Sequence, residues 1–141
     1  MVSTYAQVIA VTNEEDLFRE MAALEVAADK RIEPIEKLLS IDVRGSQETT
    51  LESHMSQVDS YRQKSVRLHS LAACFLEHAK SSNFALTSGT EATKRAKEKQ
   101  LTAAFEGMVV RYEGLIKSID TRVNLCKSLL RLVDEREKGQ R

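Results

Sequence analysis

The sequence predicts an all-α fold, an antiparallel three-helix bundle or helical hairpin with an elongated C-terminal helix and coiled-coil-like seams. Three observations carry that prediction. One proline and five glycines in 141 residues leave few places to turn, so the elements must be few and long. Apolar residues make up 42% of the chain, enough to build a core although 30% is charged. Those apolar residues recur at steps of three and four over three long stretches, which is the spacing of one helical face.

Residues 1–12 lean both ways. Tyr5, Val8, Ile9 and Val11 favour a strand, while Thr4-x-x-Gln7 is a capping box for a short helix. A lone strand has no sheet to join, so a short helix or an extended arm on an apolar groove is expected. Residues 13–41 form the first long helix. Thr12 or Asn13 can accept first-turn N–H groups, and Glu14, Glu15 and Asp16 sit where the helix dipole favours negative charge. Its seam is Leu17, Met21, Leu24, Ala28, Ile32, Ile35 and Leu39. Pro34 removes the bond to the Lys30 carbonyl, yet the seam stays in phase across it. A kinked helix, or two helices meeting near Glu33, is expected.

Residues 42–50 are a loop in which Gly45 can end the helix and Thr49-x-x-Glu52 can cap the next. The second helix, residues 50–80, carries Leu51, Met55, Val58, Tyr61, Ser65, Leu68, Ala72, Phe75 and Ala79 at 4-3-3-4-3-4-3-4 spacing. In the loop 81–89, Phe84 and Leu86 should tuck onto the bundle, and Ser88-x-x-Glu91 can cap the final helix. That helix, residues 89–138, runs through Leu101, Phe105, Met108, Tyr112, Leu115, Ile119, Val123, Cys126, Leu130 and Val133. At about 1.5 Å per residue it spans ~70 Å. Gly107 and Gly114, seven residues apart on one face, suggest close approach of another helix or a bend. No internal repeat, linker or domain boundary divides the 141 residues.

Short loops make consecutive helices antiparallel neighbours. If the hairpin closes at the 81–89 loop, the second helix reaches about as far as Asp120. That leaves Val123, Cys126, Leu129, Leu130 and Val133 as an apolar stripe for other cover, with a second copy of the chain favoured over the N-terminal segment.

Net charge is zero, but residues 1–60 carry five basic against twelve acidic residues and residues 61–141 sixteen against nine. The acidic half is expected to meet the basic half, in the same chain or in a second copy; a polyanion is the other reading. The one charge feature above background is Lys94, Arg95, Lys97 and Lys99, which open the final helix against its dipole. Arg62, Lys64 and Arg67 would extend this patch if they shared its face. Aromatic residues, which single-stranded nucleic acid would call for, are not interleaved with these cations, whereas duplex-backbone binding needs only the cations.

Catalytic signatures are absent: there is no phosphate-binding glycine loop, no G-x-S-x-G and no H-E-x-x-H. Cys74 and His78 lie one helical turn apart, as metal ligands can, but no third ligand is in reach and Cys126 is too far along the final helix. Both cysteines read as reduced core residues, and His54 and His69 as surface or boundary residues. A ferritin-like centre would need Glu-x-x-His on two helices, and none occurs. No cofactor, metal or small-molecule substrate is implied. Met1 to Ala10 has no basic n-region, and no apolar run approaches the ~20 residues of a membrane span, so an intracellular, soluble protein is expected. The function expected is that of a non-enzymatic oligomerising scaffold, adaptor or assembly component. The alternative is a nucleic-acid-binding accessory protein that uses its basic half.

Overall fold

A computed structural model describes residues 5–11, 13–80 and 90–139. Five helices follow one another: α1 (Tyr5–Ala10), α2 (Glu14–Leu39), α3 (Glu48–Ser60), α4 (Arg62–Lys80) and α5 (Glu91–Gly139). No strand occurs among the described residues, and α5 is the element against which α2, α3 and α4 all pack.

Each boundary has a local cause. Asn13 Oδ1 accepts the Glu15 N–H at 2.8 Å and opens α2. That helix runs on through Pro34 as one element, with Pro34 exposed between buried Ile32 and Ile35. The proline therefore sits on the solvent side of the helix. Gly45 turns the following loop at φ 78°, a left-handed conformation that disfavours any side chain. Asp42 braces the same loop by accepting the Arg44 N–H and guanidinium, each at 3.1 Å.

Several sequence expectations for helix starts and continuity are corrected. The cap of α3 is Gln47, two residues ahead of the Thr49-x-x-Glu52 box, and its side chain makes no capping bond. At α5 Thr90 takes the cap position: its carbonyl accepts the Lys94 N–H and its hydroxyl the Thr93 N–H. Thr4, Thr12, Phe84, Leu86 and Ser88 lie outside the described residues. The expected second helix is two, α3 and α4, divided at Tyr61. Its seam explains the division. Met55, Val58 and Tyr61 are spaced three and three, which overwinds a helix that must keep its face inward. The Tyr61 N–H accordingly bonds three residues back, to Val58, while the Ser60 and Ser65 hydroxyls donate to the Gln57 and Tyr61 carbonyls.

Ion pairs fix the helix register. Arg62 Nε meets Asp120 Oδ1 at 2.8 Å and His69 Nε2 meets Glu113 Oε1 at 3.3 Å, so α4 runs antiparallel to α5. Arg111 meets Asp29 at 3.2 Å and Arg122 reaches the carbonyls of Leu39 and Ile41, so α2 runs parallel to α5. The order is up, down, up, with α3 and α4 together forming the descending arm. The main core joins Leu17, Leu24, Ile35, Phe75, Leu101, Phe105, Tyr112 and Ile119, all fully buried or nearly so. Phe75 and Phe105 stack in it with centroids 5.2 Å apart. The short α1 closes one end: Val8 is buried, and His78 Nε2 donates to the Val11 carbonyl.

This register overturns the expected reach of the second helix. The α4 to α5 pairing continues to place Leu51 level with about Arg131, some eleven residues beyond the reach to Asp120 inferred from a hairpin closing at Thr90. The opening turns of α5 run past the end of α4, and that offset slides α3 towards the C-terminal end of α5.

Candidate partner-binding surfaces

The C-terminal stripe proves to be covered by its own chain. Cys126 is 0% exposed and forms a second, smaller core with Val43 and Leu51, against which Met55, Leu129, Leu130 and Val133 pack half-buried. Val123 packs on the main core. The stripe Val123, Cys126, Leu129, Leu130 and Val133 therefore does not need a second copy to cover it, because α3 and the loop before it already do.

Between the two cores the heptad of α5 carries a residue that pattern reading passed over. Positions Leu101, Met108, Leu115, Arg122 and Leu129 are seven apart, and Arg122 is the one cation among them. Its guanidinium donates to the Ile41 carbonyl at 2.6 Å and to the Leu39 carbonyl, at the C-terminal end of α2. The other terminal carbonyls of α2 are met locally: Ser40 N–H serves Glu36, Ser40 Oγ serves Lys37 and Ile41 N–H serves Leu38. Arg122 thus completes the cap and places a positive charge at the negative end of the helix dipole. The cation in the seam was the available signal; its target lies some eighty residues away.

Arg122 also sets the chemistry around it. His54 is 6% exposed, and its Nε2 has no hydrogen-bond partner among the described residues. Burial, and secondarily the Arg122 charge, hold its pKa below the ordinary histidine value. His54 is therefore a buried neutral ring and not the surface or boundary residue expected. It lines an open recess with Ile41, Ser46, Thr50, Ser53 and Gln57. Burial pushes the Cys126 thiol up, so it is a poor nucleophile.

The basic residues do not form one patch. Arg95 and Lys99 are exposed on the first turns of α5, while Lys94 and Lys97 are half-buried. Arg95 and Lys99 border a groove of about 580 Å³ with Lys80, but Glu98 and Glu106 line it too. Arg62, Lys64 and Arg67 lie level with residues 115–120 of α5, roughly 25–40 Å away at 1.5 Å per residue. The expected extension through them is excluded by the antiparallel register, and Arg62 is engaged by Asp120, which raises its pKa. Acidic and basic halves do meet at Asp29 and Arg111.

Cys74 is half-buried, and the register puts Cys126 about eighteen residues beyond it, ~27 Å. The separation is smaller than a hairpin closing at Thr90 implies, because the register is shifted, but it still forbids a shared site. No group of three His, Cys, Asp or Glu side chains able to hold a metal ion occurs among the described residues. No described helix is long and apolar enough to cross a membrane.

The outward side of α5 is the remaining surface. A Cβ at Gly107 or Gly114 would meet nothing within 4 Å among the described residues, so the close helix approach expected there does not occur among them, and α5 does not break at either. Each glycine costs up to about 1 kcal/mol of helix stability relative to alanine. Val110, Leu125 and Leu132 on the same side are 61%, 39% and 52% exposed. A smaller apolar patch, exposed at Ala22 and Val26 and half-buried at Ala23 and Ala27, lies on α2. No family model matches the chain, and neither a curated protein nor a solved structure is found to be similar to it.

Proposed function

We propose that the protein is a non-enzymatic helical scaffold or assembly component that oligomerises and acts through protein–protein contacts. The observation that supports this best is the two-sidedness of α5. One side packs its seam from Leu101 to Cys126 against the rest of the chain, and the opposite side is open along most of a 49-residue helix. A face of that length is a platform for another helix, and helical partners recognise such faces through residues at steps of three and four. Two of its cations are occupied in holding the bundle together: Arg122 caps α2 and Arg62 pairs with Asp120.

The mass of the full chain in solution tests this reading. An integer multiple of 15.9 kDa is expected at micromolar concentration, and a monomer at tens of micromolar refutes self-association. Nucleic-acid binding is the second reading, favoured by Lys80 joining Arg95 and Lys99 at one groove. It requires duplex affinity that falls steeply with salt and weakens in Arg95→Glu with Lys99→Glu. Indifference to salt and to both substitutions removes it.

A further inference from the structure

The open side of α5 has a composition unlike the rest of the helix. Nineteen of its 49 residues are charged. Yet the twelve positions reached by steps of four and three from Ala92 to Leu132, which form one face at 100° per residue, are all uncharged and all exposed. A solvated face has no reason to exclude charge over ~60 Å. Nothing in the described chain makes use of the missing side chains at its centre.

We propose that this face is the contact between two copies of the chain, packed antiparallel about a two-fold axis at Gly114, which rests on the scaffold reading above. The face is complementary to itself about that residue. With Gly114 level with Gly114 of the second copy, Ala103 stands level with Leu125 and Ala96 with Leu132, small against large at each step. Val110 meets Ser118, and Gly107 meets Thr121. The glycines then have a purpose, since helix axes approach more closely where side chains are absent from the contact.

Charge and area favour the same occupant. Beside the face the register sets Arg95 within two residues of Glu135 and Glu113 within two of Lys117, each pair occurring twice by symmetry. The like-charged combinations are Lys99 with Arg131, Glu106 with Asp120 and Arg111 with Lys117, of which Asp120 and Arg111 are already paired with Arg62 and Asp29 of their own chain. A parallel pair would instead set the four cations at Lys94, Arg95, Lys97 and Lys99 beside the same four of the second copy. Antiparallel helices also oppose their dipoles. A contact ~60 Å long and ~10 Å wide covers about 600 Å² on each chain, or ~1,200 Å² in all, the lower end of specific interfaces.

Disulfide trapping in the full chain separates the alternatives, with Cys74→Ser removing the accessible thiol and buried Cys126 kept. Gly114→Cys is expected to cross-link to itself on mild oxidation. Gly107→Cys alone should not, since antiparallel copies hold those positions about 14 residues apart, ~21 Å, well beyond disulfide reach. Gly107→Cys mixed with Thr121→Cys should cross-link. Helicity by circular dichroism and solution mass are read on every variant. Self-linking of both single variants means a parallel pair and overturns the arrangement. A dimeric mass with no cross-link in any variant overturns this face while leaving the scaffold reading intact. A folded monomer at all concentrations overturns both.

Discussion

Arg122→Met is the substitution that best tests the physical account of the bundle. Methionine keeps an apolar stem of similar length in the seam and removes only the donors. Two carbonyls, Leu39 and Ile41, then lose their partner, and the C-terminal end of α2 loses its compensating charge. A hydrogen bond to a charged group contributes about 1.5–3 kcal/mol. The two here share one half-exposed guanidinium and water reaches the Ile41 carbonyl, so their loss together is worth about 2 kcal/mol. Unfolding entropy near 2.1 cal/mol/K per residue gives ~0.3 kcal/mol/K for 141 residues, and the melting midpoint should fall by about 7 °C. Arg122→Lys should recover only part of this, since an ammonium lacks the planar fork that spans two acceptors. The exposed pair Arg62 and Asp120 supplies the control: Arg62→Met should move the midpoint far less. Melting followed by circular dichroism reads all three. A shift within about 2 °C for Arg122→Met, or full rescue by lysine, would refute the assignment of Arg122 as the cap of α2.

Two further outcomes rest on buried polar groups. His54 binds its proton less readily folded than unfolded, so the unfolded chain takes up protons first as pH falls. Stability should be complete above the unfolded value of about 6.5 and decline as pH drops below it. Denaturant midpoints at about pH 7.5 and about pH 5.5 should therefore differ less in His54→Leu than in the parent; equal differences would show that another group is responsible. Tyr112 is fully buried with a hydroxyl that has no partner among the described residues. Tyr112→Phe should leave stability unchanged or raise it by up to ~1 kcal/mol, about 3 °C, and a fall of that size would mean the hydroxyl is bonded after all.

The sequence by itself determined the all-α class and the sides on which the helices bury, though not the division of the second helix at Tyr61. Leu17, Leu24, Ile32 and Ile35, and Leu101, Phe105, Met108, Tyr112, Leu115 and Ile119, are buried because a period near 3.6 is a local property, readable wherever apolar residues keep step. Pattern also placed the turn at Gly45, where backbone conformation and residue type coincide. Tertiary structure alone decided how far each helix slides along the next. The start of α5 runs past Lys80, and that offset brings α3 over Cys126 and closes a stripe that looked open. It also separates Arg62, Lys64 and Arg67 from the cations of α5. A seam specifies a face but not a position along it, since apolar knobs repeat every turn while the pairs that lock one register, Arg62 with Asp120 and Asp29 with Arg111, lie 58 and 82 residues apart. Arg122 shows the same division: its place in the heptad was written in the chain, and the carbonyls it serves exist only once α2 has been laid alongside α5.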